Sequence, residues 1–95
     1  MIKPRVLFLC TANSCRSQMA EGFLRHLGSD RFEAASAGAQ ASRVNPDAIR
    51  VMKEVGIDIS THRSKDASEL RGQNFTYVVR VCDRAKETCP IFPGA

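Results

Sequence analysis

Apolar residues recur along this chain in two rhythms, one of strands and one of helices. Arg5 to Leu9 is a short, nearly unbroken apolar run that stops at a cysteine, which predicts a buried strand. From Ser17 the apolar positions Met19, Ala20, Phe23, Leu24 and Leu27 follow helical spacing, and Gly28 is placed to end that helix as a glycine cap. Phe32 to Ala37 reads as a second strand closed by Gly38, followed by a polar loop from Gln40 to Val44. Asn45-Pro46-Asp47 then supplies a capping side chain, a proline at the first helical position and an early acid. Ala48, Ile49, Met52 and Val55 share one face of the helix so begun, and Gly56 ends it. Ile57 to Ser60 is an apolar connector, Ser64 to Leu70 a short helix, and Phe75 to Val81 a β-rich run.

Strands alternating with helices predict an α/β fold, a parallel sheet with helices on both faces. Ligands of such sheets bind beyond the carboxyl ends of the strands. Cys10 and Cys82 each follow directly on a predicted strand, so the alternation alone places both at one edge of the sheet.

Composition narrows the class. At 95 residues, 43% hydrophobic and 25% charged, the chain fits one domain over residues 1–95 with a modest core, and disorder, collagen or repeat architecture is not expected. The net charge of +4, carried by ten Arg against four Lys, suits a small anionic partner. With no basic run and few aromatics, nucleic acid is not the expected partner. The apolar stretch Val6 to Cys10 is too short for an export signal, so no secretion and no membrane span are expected, and the location inferred is the cytoplasm. In that reducing compartment Cys10, Cys15, Cys82 and Cys89 read as catalytic or metal-binding thiols.

The informative segment is Cys10-Thr11-Ala12-Asn13-Ser14-Cys15-Arg16-Ser17, a C-x5-R-S loop between strand and helix. A loop of this length can wrap the backbone N–H groups of Thr11, Ala12, Asn13, Ser14, Cys15 and Arg16 around a tetrahedral oxyanion. The positive end of the helix lies behind it, and the Arg16 guanidinium can close it. The same field favours Cys10 as a thiolate, with the Ser17 hydroxyl as a hydrogen-bond donor to the sulfur. Cys15 reads as a packing residue with a minor chance of bridging to Cys10. Asn13 and Ser36 are candidate braces of the loop, and His26 is a surface or helix-end residue.

Val6 to Gly22 closely resembles the opening of the thioredoxin-coupled arsenate reductases, which share the fold of the low-molecular-weight protein tyrosine phosphatases. The likeness continues through Ser36-Ala37-Gly38, Asn45-Pro46, Gly56-Ile57-Asp58-Ile59-Ser60, His62-Arg63-Ser64-Lys65 and Cys82 to Gly94. The resemblance implies a three-layer αβα sandwich and a three-cysteine relay. Cys10 attacks arsenate, Cys82 attacks the adduct and releases arsenite, and Cys89 draws the disulfide outward for thioredoxin to reduce. It implies no organic cofactor. Some family members hold a potassium ion beside the loop, and here Lys65 stands where an ammonium can take that place; no metal site is carried over. A helix over 83–88 would hold Cys82 and Cys89 roughly 10 Å apart along its axis, whereas a disulfide needs Cα atoms within about 7 Å. The Cys82 to Cys89 segment is therefore expected to unwind on oxidation.

The resemblance also implies that relatives continue past Gly94 through an Asp-Pro loop, a last strand and a last helix. The sequence contains no Asp-Pro, which leaves the proton donor unassigned and predicts impaired catalysis and an exposed apolar strand edge open to self-association. Two alternatives stand beside arsenate reduction. One is a tyrosine phosphatase using Cys10 and Arg16. The other is a non-enzymatic thiol module in which Cys15, Cys82, Cys89 and Cys10 bind zinc or sense redox state, although C-x4-C and C-x6-C spacings suit zinc poorly.

Overall fold

The computed structural model describes residues 3–10 and 13–81. Three parallel strands form one sheet in the order β2-β1-β3, with β1 spanning Arg5–Cys10, β2 Glu33–Gly38 and β3 Tyr77–Arg80. β1 is central because it alone is apolar on both faces: Leu7 and Leu9 are fully buried on one side, Val6 and Cys10 nearly so on the other. β2 is made of small residues, poor strand formers by propensity, which hold their place because they let covering elements approach closely.

Leu7, Leu9 and Ala37 pack with Leu70 and Phe75 on one face of the sheet. Helix α1, Arg16–Gly28, covers the other face through contacts with β1 and β2. Helix α2, Pro46–Glu54, packs on α1, and Ala48, Met52, Ile57 and Ile59 form a second core between them. Gly22 makes that crossing possible: a Cβ there would stand 2.7 Å from Ile59 Cγ2 and 3.1 Å from Met52 Cε. The Asn45 side chain caps α2 by accepting from Asp47 N–H, and Asn45 N–H donates to Ser14 O at 2.9 Å, which ties the cap to the cysteine loop.

The α/β class, the parallel sheet and the second helix agree with the sequence pattern. The face of α1 does not. Its buried residues are Ser17, Gln18, Glu21, Gly22 and Gly28, while Phe23 is 40% and Leu27 75% exposed. The apolar stripe lost to the polar one because the polar side chains have partners in the site, whereas Leu27 lies near the helix end beyond the sheet's cover. Gly28 is not a left-handed cap but a point of close packing, where a Cβ would sit 3.2 Å from Leu24 Cδ1. Gly56 does adopt φ +82° and closes α2, but Val55 is exposed. The Ser64 to Leu70 helix is reduced to a 3₁₀ turn, Ala67–Leu70, begun by a reciprocal Asp66–Glu69 capping box. β3 is shorter than its apolar run because Phe75 turns into the core.

Val81 N–H donates to Leu9 O at 2.8 Å, so position 81 runs beside the end of β1. The expected change at Cys82 to Cys89 lies outside the described residues, as do Thr11 and Ala12. Tyr77 and Val79 are exposed beside Val6, Phe8, Leu24 and Phe32 in an apolar groove. No helix among the described residues is long and apolar enough to cross a membrane.

Candidate active site

Cys10 ends the central strand with its side chain buried, and the chain then turns back into α1. Asn13 takes φ +49°, a left-handed conformation that asparagine tolerates better than other side chains of its size. That turn aims the Asn13 N–H at Cys10 Sγ, 3.1 Å away. Ser17, in the first turn of α1, brings its Oγ to 2.8 Å from the same sulfur.

The neighbours fix the orientation of the Asn13 amide. Asn13 Oδ1 accepts the backbone N–H of Lys65 at 2.8 Å, a donor that cannot be reversed, so the Asn13 amide nitrogen must be the atom facing Ser17. Asn13 Nδ2 donates to one of the two lone pairs of Ser17 Oγ at 2.7 Å, and toward a Cys10 thiolate the serine hydroxyl is the donor. The sulfur thus receives two hydrogen bonds, the arrangement that suits a thiolate acceptor.

The N-terminus of α1 lacks a side-chain cap. Cys15 stands at its cap position with no side-chain hydrogen bond to the helix, and the first turn holds no acid, whereas α2 has both Asn45 and Asp47 at its start. The first-turn N–H groups and the positive helix end are thus without the side-chain acceptor and the acid that α2 has, an arrangement that can accept an anion. Arg16 is the first residue of α1 and is exposed. Cys15, expected to pack, is exposed, with Sγ 3.8 Å from Met19 Sδ.

Behind the loop lies a buried polar layer. Glu21 carries a carboxylate only 3% exposed, held by Arg25 at 2.9 Å and by the Ser36 hydroxyl, which donates at 2.5 Å. Ser36 therefore braces Glu21 and not the loop itself, while Asn13 braces the loop as expected. His62 Nε2 is 3.9 Å from Glu21 Oε2, and burial holds this imidazole below its ordinary range although the carboxylate opposes the shift. Burial also lowers Lys65, again against the pull of Glu21. Arg25 lies on the Glu21 carboxylate, and the Lys65 ammonium donates to Arg63 O at 3.2 Å. Among the described residues no group of three or more His, Cys, Asp or Glu is arranged to hold a metal.

Gln18 and Glu21 received no role of their own in the sequence reading, and His62 stood there only within the resemblance and as a histidine tempting as an acid or base. A signal was present: Ser17, Gln18, Glu21, Gly22 and Arg25 form a helical stripe of their own, and a glycine within a polar stripe marks close approach.

A parallel sheet with a cysteine at its central strand end, facing an uncapped helix N-terminus, defines a protein of the phosphatase-loop class. The model for the low molecular weight phosphotyrosine protein phosphatase matches residues 5–94, and the chain belongs to that family. It is 48% identical over 94 residues to an arsenate reductase of Shouchella clausii, covering 99% of this chain and 68% of that one. Among solved structures it is similar to an arsenate reductase in the phosphate binding state, with TM-score 0.81, 43% identity, 86% of this chain and 63% of that one covered. The thioredoxin-dependent arsenate reductase of Corynebacterium glutamicum matches with TM-score 0.75 and 33% identity over 97% of this chain and 46% of that one. The chain thus spans about two thirds of that curated relative and less of these solved ones.

Proposed function

We propose that this chain acts in the reduction of arsenate to arsenite, with Cys10 as the nucleophile and Cys82 and Cys89 as the thiols that carry electrons in from thioredoxin. The observation that carries this reading is the pair of hydrogen bonds on Cys10 Sγ, from Asn13 N–H and from the Ser17 hydroxyl, at the mouth of an uncapped helix. The arsenate reductases among its relatives support the choice of oxyanion.

The electrons balance as follows. Arsenate binds against the first-turn N–H groups of α1 with Arg16 at its rim, and the Cys10 thiolate forms a bond to arsenic as one oxygen leaves as water. Cys82 then attacks the Cys10 sulfur. The sulfur–arsenic bond breaks with its electron pair going to arsenic, arsenite leaves, and a Cys10–Cys82 disulfide remains. Cys89 attacks Cys82 and frees Cys10, and the dithiol of thioredoxin reduces the Cys82–Cys89 bond. Val81, the residue before Cys82 in the sequence, donates its N–H to Leu9 O beside the end of β1.

The same loop suits a phosphate ester, because Cys10, Ser17 and the helix end can serve phosphoryl transfer without any second cysteine. A Cys82→Ser variant separates the two readings. Arsenite release under turnover with thioredoxin should be abolished while hydrolysis of p-nitrophenyl phosphate is spared. Loss of both activities together overturns the relay.

A further inference from the structure

One fully buried side chain of the site does not touch the sulfur. Gln18 is fully buried, and its amide stands between two segments far apart in sequence. Nε2 lies 2.9 Å from Asn13 Oδ1, 3.2 Å from Asn13 O and 3.1 Å from Arg63 O. Asn13 O and Arg63 O are main-chain carbonyls, and Asn13 Oδ1 is fixed as an acceptor by the Lys65 N–H. Three acceptors around one end of the amide leave a single orientation, with the NH2 group toward them and Oε1 away. Oε1 meets His62 Nδ1 at 3.1 Å, so that ring nitrogen must carry a hydrogen.

From these contacts we propose that Gln18 is a positioning residue: it clamps Asn13 in its left-handed turn and so aims the two hydrogen bonds that Cys10 Sγ receives, while His62 locks the Gln18 amide. Asn13 is the shared member. Its backbone turn points one N–H at the sulfur, and its side chain donates to one of the two Ser17 lone pairs, holding the hydroxyl beside the sulfur. Without Gln18, the Asn13 carbonyl loses its one hydrogen-bond donor among the contacts described above, and Oδ1 keeps only Lys65 N–H. A turn at φ +49° costs asparagine less than most side chains but more than glycine, and it persists where the surroundings over-determine it. Burial, which keeps His62 below its ordinary range, favours the neutral ring in which one nitrogen donates and the other does not.

This inference rests on the reading of Cys10 as the nucleophile, and its test does not use arsenate. In a Gln18→Glu variant the side chain keeps its size but turns an oxygen toward three acceptors. The readout is the rate at which iodoacetamide alkylates Cys10 at pH 7, resolved from Cys15 by mass spectrometry, with far-ultraviolet circular dichroism to establish folding. Loss of aim should slow Cys10 about tenfold and leave the exposed Cys15 unchanged, as expected for a lost hydrogen bond to a charged acceptor. Plain loosening of the fold does the opposite, since it uncovers a buried thiol and speeds its alkylation. A folded variant whose Cys10 reacts within about twofold of the parent, or faster, overturns the proposal. Should Gln18→Glu not fold, Gln18→Met is read by the same criteria. Independently, nitrogen-15 spectra of His62 in the unaltered chain above its titration should show hydrogen on Nδ1; hydrogen on Nε2 overturns the clamp. Alkylation that behaves as expected in a chain that fails to turn over arsenate counts against the proposed reaction and not against Gln18.

Discussion

Ser17 Oγ lies 2.8 Å from Cys10 Sγ and accepts from Asn13 Nδ2 at 2.7 Å, and toward a Cys10 thiolate, which can only accept, the serine is the donor. Replacing Ser17 by Ala removes that donor and leaves Asn13 Nδ2 without its acceptor. Hydrogen bonds to charged groups contribute about 1.5–3 kcal/mol, so Cys10 alkylation near neutral pH should slow by at least about tenfold. Stopped-flow alkylation with Cys10 resolved from Cys15 reads this directly, and an unchanged rate would remove the serine from the mechanism.

Gly22 predicts a packing limit. Its missing Cβ leaves room for Ile59 and Met52, both fully buried. A Gly22→Val substitution drives a branched side chain into that space, and the helix propensity gained over glycine is only a few tenths of a kcal/mol. Overpacking costs about 1–3 kcal/mol, which urea unfolding of the variant should show as a lower midpoint with an unchanged slope.

Stability should depend on His62 in a defined direction. Burial lowers this group from its ordinary 6.5, so the folded chain holds the ring neutral where the unfolded chain protonates it. The stabilising contribution is complete above 6.5 and is lost as pH falls from 6.5 toward the lower folded value. Urea midpoints taken across this range should fall more steeply in the parent than in a His62→Asn variant. Equal slopes would mean that the ring is not held neutral by its surroundings.

Asn45 couples α2 to the loop, since its side chain accepts from Asp47 N–H at 2.7 Å and its own N–H reaches Ser14 O at 2.9 Å. Asn45→Ala removes the first contact and leaves the second. The expected loss is about 1 kcal/mol of stability. Phosphate affinity, measured by titration calorimetry, should change little because the backbone contact to Ser14 is intact.

The parts of the fold legible in the sequence were those with a local cause. The apolar run of β1 and the Asn45-Pro46-Asp47 opening of α2 announce themselves through propensity and capping, which act within a few residues. The C-x5-R-S spacing likewise carried the loop, because the chemistry of a cysteine facing a helix N-terminus is set by chain distance. Cys15 was misread as packing because nothing local says on which side of a tight turn a thiol emerges.

The reverse held for α1. Periodicity offered two stripes, one apolar through Phe23 and Leu27 and one polar through Ser17, Gln18 and Glu21, and the amphipathic rule favours burying the first. Only the assembled structure could reverse that choice, because each buried polar group has its partner in another segment: Glu21 with Ser36, Gln18 with Arg63 and His62, Asn13 with Lys65. The sequence by itself determined which residues can do chemistry and the loop that holds them. The tertiary structure decided which face of the helix behind that loop is inside, because a polar side chain is buried at acceptable cost only where distant parts of the chain satisfy its hydrogen bonds.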